Sequence, residues 1–219
     1  MEEKRFTHEM LEALMESAVK DADLRSEEIP RIDLYIDQIL TLVSERMSEA
    51  SDRYKDNLLT KTMINNYSKE GLIMPVKGKK YTKEHIIQML LIYSLKNSLS
   101  IGEIKRLIKG VYLEGFDGET LTRCYDRFVE IKDEERVRAK DIARDIIGEE
   151  ELRLEDSGDF FVSLLAIVAC SAYLRSIAVE MLEARYPVPE DEKEKDKSKE
   201  KSKDKKNKEI DKEAKGEDK

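Results

Sequence analysis

Apolar residues recur every three or four positions through most of the chain, a spacing typical of amphipathic helices. The pattern predicts a first helix over residues 6–20 and a second that begins near Pro30, because proline suits the first turn of a helix. One apolar stripe marks this second helix: Ile32, Tyr35, Ile36, Ile39, Leu40, Val43 and Met47. Three residues with capping side chains predict the starts of further helices: Thr60, Thr82 and Ser100.

Glycine and proline interrupt this helical pattern in the middle of the chain. Gly71 is placed to end the helix that begins at Thr60, in the left-handed conformation that favours glycine. Pro75 then prevents the helix from resuming. The segment VKGKKY, residues 76–81, has Gly78 at its centre and predicts a small hairpin or wing.

The C-terminal part predicts two long helices and a polar tail. Residues 120–147 form a charged helical pattern, and residues 159–185 form the most apolar one, with 15 uncharged residues in succession. A membrane-spanning helix needs about 18 or more, so we expect no membrane contact. Such a helix needs burial, either in the protein's own core, which is our interpretation, or against a second copy. Residues 187–219 have almost no apolar side chains and predict disorder.

Composition favours a mainly α protein. Aromatic residues make up 6% of the 219 residues and Trp is absent, which disfavours a sandwich or barrel of many strands. Cys124 and Cys170 lack neighbours at metal-ligand spacing, so we expect free thiols in a reducing, cytoplasmic compartment and no cofactor. His85 is interpreted as a surface or interfacial residue and not as a ligand.

The net charge of −8 conceals a cationic window. Residues 60–109 hold ten basic and three acidic residues, a net charge of +7. A polyanion-binding patch in an acidic protein requires such a window. An ordinary solvated lysine face would have the same composition, so both interpretations stay open.

Three motifs follow one another in this window: KEGLIMP at 69–75, KY at 80–81 and SIGEI at 100–104. In this order and spacing they resemble the DNA-binding head of the MerR family of regulators. The segments IPRIDLYIDQI, LTKTMINNYSKEGL and KKYTKEHI also resemble a numbered domain-of-unknown-function family of Gram-positive bacteria, whose members are described only as candidate regulators. Both resemblances imply a winged helix-turn-helix fold with a small β wing.

The resemblance implies a recognition helix that starts near Thr60 and presents polar side chains to the major groove. Asparagine can pair with adenine and lysine can donate to guanine, while wing lysines hold phosphates. The expected DNA-binding residues are Lys61, Thr62, Asn65, Asn66, Tyr67, Lys69, Lys77, Lys79, Lys80 and Tyr81. Packing in the core or wing is an equal alternative for the two tyrosines. Asn65 departs from the MerR family, which usually has arginine there. The helix before the recognition helix is also unusually long, and about a dozen residues separate it from Thr60, more than the few residues of a usual helix-turn-helix.

Four regions are expected: an N-terminal helix and loop (1–28), the winged helix-turn-helix domain (29–110), a helical dimerisation or effector module (111–186) and a disordered tail (187–219). The sequence predicts a dimeric, sequence-specific transcriptional regulator that binds double-stranded DNA, with a small-molecule effector that stays unknown. The alternative is a non-catalytic protein-interaction adaptor with the same head. No phosphate-binding glycine loop or nucleophile motif occurs, so we do not expect an enzyme.

Overall fold

A computed structural model describes residues 6–48, 50–52, 58–149 and 151–189. The described part is mainly helical and contains one two-stranded sheet, which confirms the mainly α class that the sequence predicts. In chain order its elements are α1 (His8–Val19), the 3-10 helix η1 (Ser26–Glu28), β1 (Leu34–Tyr35), α2 (Ile36–Met47), α3 (Lys61–Lys69), β2 (Lys80–Tyr81), α4 (Lys83–Leu95), α5 (Ile101–Leu113), α6 (Gly118–Glu149) and α7 (Ser157–Arg185).

The predicted capping residues are confirmed. The side chains of Thr60, Thr82 and Ser100 each accept a hydrogen bond from a backbone N–H three residues further on. Glu103 completes one capping box by accepting from the Ser100 N–H at 2.6 Å. His85 takes the equivalent place at Thr82, where its Nδ1 accepts from the backbone N–H at 3.1 Å. Because its ring folds back onto this cap and is only 8% exposed, the interpretation of His85 as a surface residue is wrong.

The second helix begins later than the sequence predicts. It starts at Ile36 and not near Pro30, and Ile32 is 69% exposed. The two residues before the helix form β1, which pairs antiparallel with β2. The segment 76–81 is therefore not a local hairpin, because its partner strand lies far upstream in the chain. A run of branched and aromatic residues such as Leu34–Tyr35–Ile36 suits a strand as well as a helix.

The core lies between α2, α3, α4, α5 and the first half of α6. Its fully buried side chains include Ile39, Ile64, Ile86, Ile92 and Ile104. α6 packs against α4 and contributes buried residues to the same cluster: Leu121, Tyr125 and Val129. Burial of these side chains is the main stabilising contribution to the fold. The long helix that follows the predicted head is thus part of the head's own core.

The segment between α1 and α2 is fixed to α6 by polar contacts. The Tyr125 hydroxyl donates to the Leu24 carbonyl at 2.6 Å, and the Ser26 hydroxyl donates to Asp126 at 2.6 Å. Two to three helical turns further along α6, cations pair with carboxylates of this segment: Lys132 and Arg136 with Asp21 and Asp23. The second half of α6 continues these ion pairs onto α1: Arg144 with Glu12 and Lys140 with Glu16.

α7 begins where the Asp156 carboxylate accepts from the backbone N–H groups of Gly158 and Asp159, at 2.9 and 3.0 Å. The interpretation of this helix as a buried core helix is wrong. Its large apolar side chains are exposed, among them Phe161, Val168 and Tyr173. Hydrophobicity requires burial, but the apolar composition of a helix does not say which molecule covers it.

Two compact units divide within α7, between Val179 and Glu180, and the helix ends in the second unit. Most of the predicted disordered tail, from residue 190 onward, lies outside the described residues.

Candidate nucleic-acid interface

α3 has a core side and a solvent side. Ile64 and Tyr67, three residues apart, are buried. The remaining predicted contact residues on this helix are all exposed: Lys61, Thr62, Asn65, Asn66 and Lys69. Gly71 ends the helix with a φ of 67°, as the sequence predicts. The sequence of α3 therefore presents amide, hydroxyl and ammonium groups to solvent while its apolar side holds the helix in place.

Tyr67 packs in the core and is not on the exposed face of α3. It is 6% exposed, and its burial raises the pKa of the phenol. Of the two alternatives for this residue, core packing is the one observed, because Tyr67 follows Ile64 at the spacing that shares one side of a helix. Its expected role as a DNA contact is corrected accordingly.

The wing is a lysine-rich turn that leads into β2. Lys77, Lys79 and Lys80 are all exposed, and Gly78 at the turn has a φ of 81°. This backbone conformation requires glycine, because other residues adopt it with strain. Tyr81 is half-buried and stands edge-on to His85, with 6.0 Å between the ring centroids. Tyr81 therefore packs at the base of the wing, while the lysines extend from it.

Two contacts bring the start of α3 and the wing to the same short segment, Tyr35–Asp37, which we call the junction. The Lys61 ammonium lies 3.6 Å from a carboxylate oxygen of Asp37. The Lys80 ammonium lies over the ring of Tyr35, 5.1 Å from its centroid. Both lysines thus flank the junction, where β1 passes into α2.

An apolar groove lies between α3 and the wing. Asn65 and Ser68 of α3 border it together with Val76 and Gly78 of the wing. Its remaining apolar lining comes from the loop after α3 and from the end of α5: Leu72, Ile73, Met74, Pro75, Ile108, Tyr112 and Leu113. Part of the exposed side of α3 and the wing therefore border the same groove.

A chain of hydrogen bonds anchors the loop between α3 and the wing. The Met74 N–H donates to Gln88 at 3.0 Å, and the Gln88 amide donates to the Tyr112 hydroxyl at 2.6 Å. That hydroxyl in turn donates to Glu84 at 2.9 Å, and burial together with the Glu84 carboxylate raises the pKa of Tyr112. Since Gln88 lies on the buried helix α4, the wing stands on a rigid support.

Positive charge dominates the exposed part of the cationic window. Two of its three acidic side chains are half-buried and hydrogen-bonded, namely Glu84 and Glu103, and Glu70 is exposed. Lys96 lies over the ring of Tyr93, where burial lowers the pKa of its ammonium group. The exposed lysines are concentrated on α3 and the wing: Lys61, Lys69, Lys77, Lys79 and Lys80.

The junction residues Tyr35 and Asp37 were not among the sequence-predicted contacts. Both are exposed and adjoin predicted lysines. The one signal in the sequence is the run Leu34–Tyr35–Ile36, which suits a strand as well as a helix. The helical interpretation placed Tyr35 in an apolar stripe and so hid its position in β1. For metal chemistry, the described ranges contain no group of three or more His, Cys, Asp or Glu side chains placed to hold an ion.

Residues 24–128 match a family described as a domain of unknown function (DUF1836). The match contains the three segments that suggested a numbered family of this kind, and it agrees with that resemblance. No curated protein and no solved structure matches the chain. The matched region begins at Leu24 and ends just beyond Tyr125, the two residues joined by a hydrogen bond. It includes the elements from η1 to α5 and the start of α6, whereas α1 and α7 lie outside it.

Proposed function

We propose that the protein is a sequence-specific, DNA-binding transcriptional regulator with a MerR-like winged helix-turn-helix head. One observation carries the proposal: the polar side of α3 lies beside a lysine-rich wing, and both flank the junction. A helix with exposed amide groups next to a cationic turn suits the major groove and its neighbouring phosphates.

In this proposal α3 enters the major groove. The amides of Asn65 and Asn66 pair with adenine edges, and Lys61 donates to guanine or to a phosphate. The start of α3 also attracts phosphate through its free N–H groups. Lys79 and Lys80 hold phosphates of the adjacent backbone and fix the register of the helix without distinguishing sequences.

A symmetric operator requires two heads at a fixed separation, so a homodimer is part of the proposal. We place the protein in the reducing cytoplasm of a bacterium, a setting with which the family resemblance and the two free cysteines are compatible. The effector, if the protein has one, is not specified by the residues of the head.

The test is fluorescence anisotropy of the full chain with labelled duplexes, including the protein's own promoter, across a salt series. We expect saturable binding that survives competitor DNA and weakens as salt rises, because phosphate contacts release counterions. The double change Lys79→Gln with Lys80→Gln should weaken binding to every duplex and reduce the slope of log affinity against log salt by about two.

Two further variants separate sequence preference from charge. Asn65→Ala and Asn66→Ala should change the preferred sequence while leaving the salt slope unchanged. Lys20→Gln is the matched control, since Lys20 is an exposed lysine at the end of α1. If Lys20→Gln lowers DNA affinity as much as a wing substitution does, the loss reflects the net charge of the protein and not a specific role of the wing. If DNA affinity is the same in the wing and asparagine variants as in the wild type, the assignment as a DNA-binding regulator is wrong and the protein-interaction adaptor is favoured.

A further inference from the structure

Large apolar side chains cover much of α7 and face solvent. Eight of them between residues 161 and 177 are about half exposed or more: Phe161, Val162, Leu164, Leu165, Val168, Tyr173, Leu174 and Ile177. A helix that is apolar on all sides is normally buried, and soluble monomers rarely expose contiguous patches of this kind. A partner must therefore cover this surface.

The first half of α7 has one side against the protein and one side free. The ring of Phe160 packs on Phe6, with 5.2 Å between the centroids, which turns that side of the helix toward the start of α1. Phe161, Leu165 and Val168 follow one another at intervals of four and three residues and form an outer stripe. A second helix can lie along this outer stripe without displacing α1.

The rest of the chain cannot supply the cover. The residues outside the described ranges contain four apolar side chains, which are Met1, Tyr54, Ile210 and Ala214. The charged segment after residue 189 is therefore unable to bury eight large hydrophobic side chains. The cover therefore has to come from outside these 219 residues.

By length and composition alone, α7 could also cross a membrane. Arg175 argues against that occupant. Its Nε donates to the Ser98 carbonyl at 2.7 Å, and its guanidinium lies 3.6 Å from Glu103. These contacts fix the middle of α7 to the connection between α4 and α5. A helix inside a bilayer would lose both contacts and carry a guanidinium into hydrocarbon, which is costly.

We infer that α7 forms the interface between two copies of this chain, with the outer stripe at its centre. Five of the eight residues lie on the outer stripe or beside it: Phe161, Val162, Leu164, Leu165 and Val168. At roughly 100 Å² for each side chain they present about 500 Å² of apolar surface, and a two-fold dimer uses the same patch on both copies. The two patches together bury about 1,000 Å², the total that a biological interface needs to reach. The inference names the interface of the proposed dimer, but it stands without DNA binding because it concerns the protein alone.

The test is light scattering coupled to size-exclusion chromatography, on the full chain without DNA at micromolar concentration. We expect twice the chain mass of 25.4 kDa. The double variant Leu165→Lys with Val168→Lys should elute at the mass of one chain. Both side chains are already exposed in the single chain, so circular dichroism should show unchanged helix content.

The matched control is Ile131→Lys with Val137→Lys on α6. These residues are also exposed, and Val137 at 56% resembles Val168 at 62%. The control should remain dimeric. A wild-type chain that is monomeric at tens of micromolar overturns the inference, and so does a monomer that binds neutral phosphatidylcholine vesicles. Equal loss of the dimer in both double variants also overturns it, because the effect would then not be specific to α7. None of these outcomes depends on whether the head binds DNA.

Discussion

Lys80 and Tyr35 face each other across the two-stranded ladder, and the lysine ammonium lies 5.1 Å from the centroid of the tyrosine ring. The wing is therefore joined to the junction both by backbone pairing and by a side-chain contact. A cation over an aromatic ring at an exposed site contributes about 0.5–1 kcal/mol. This contact restricts a lysine that would otherwise sample many conformations.

Tyr35→Ala should weaken DNA binding by about two- to fivefold, because Lys80 loses the ring that positions it. Tyr35→Phe keeps the ring and should bind like the wild type. Anisotropy titrations of both variants with one duplex at low salt measure the difference. Equal loss in the two variants would mean that the hydroxyl group matters and the ring contact does not.

Asp37→Asn should strengthen DNA binding by about two- to fivefold at low salt, and the gain should fade as salt rises. The carboxylate repels phosphate and holds Lys61 in an exposed ion pair, so its removal leaves the lysine available for DNA. Glu134→Gln on α6 is the control for a simple loss of one negative charge. Should both variants gain equally, the junction has no special role.

The free energy of unfolding should fall in acid because of the Asp21 carboxylate. Burial raises the pKa of this carboxyl, but the hydrogen bonds from Lys132 and Arg136 outweigh burial, and the pKa is lowered. A lowered pKa in the folded state means that the unfolded chain binds the proton more tightly. The stabilisation is therefore present above the unfolded pKa of about 3.9 and is lost as pH falls through the folded value.

The variant Asp21→Asn tests this dependence. At pH 7 it should lower the free energy of unfolding by about 2 kcal/mol, since hydrogen bonds to charged groups contribute about that much. The difference from wild type should shrink below about pH 4, where the wild-type carboxyl takes up its proton. Urea unfolding followed by circular dichroism at several pH values gives both quantities. A difference that stays constant down to pH 2 would contradict the lowered pKa.

Tyr125→Phe should lower the free energy of unfolding by about 1–3 kcal/mol, because the buried Leu24 carbonyl loses its hydrogen-bond donor. Tyr35→Phe is the matched control, since the Tyr35 ring is about half exposed and lies outside α7. It should leave stability within about 0.5 kcal/mol of the wild type. Thermal unfolding of the two variants distinguishes a specific contact from a general effect of removing a hydroxyl.

Local chemistry explains which parts of this fold the sequence predicts well. Thr60 and Ser100 begin helices because a hydroxyl accepts a hydrogen bond three residues away, and such a contact depends on neighbours alone. Gly71 ends a helix for an equally local reason. The exposure of Asn65 and Asn66 follows from the buried positions of Ile64 and Tyr67, since helical spacing places the two asparagines on the opposite side.

Non-local contacts explain the rest. The strand partner of the wing is Leu34–Tyr35, and no local pattern indicates a pairing across so long a stretch of chain. The contact of Lys61 with Asp37 has the same origin. The burial of His85 was missed because histidine replaced the glutamate of a usual capping box. The exposure of α7 was missed because an apolar pattern shows that a helix needs cover, but not which molecule provides it.

The hydrogen bond from Tyr125 to Leu24, two buried residues, brings the two ends of the family-matched region together. The first and last residues of this region are therefore close together, and the segments before and after it start from neighbouring positions. In this protein α1 and the second half of α6 use that shared exit and pair through Glu12 and Arg144. Domains with adjacent ends tolerate insertion into other chains and circular permutation. Residues 24–128 can therefore be grafted into another chain as a single insert without rebuilding the wing or α3.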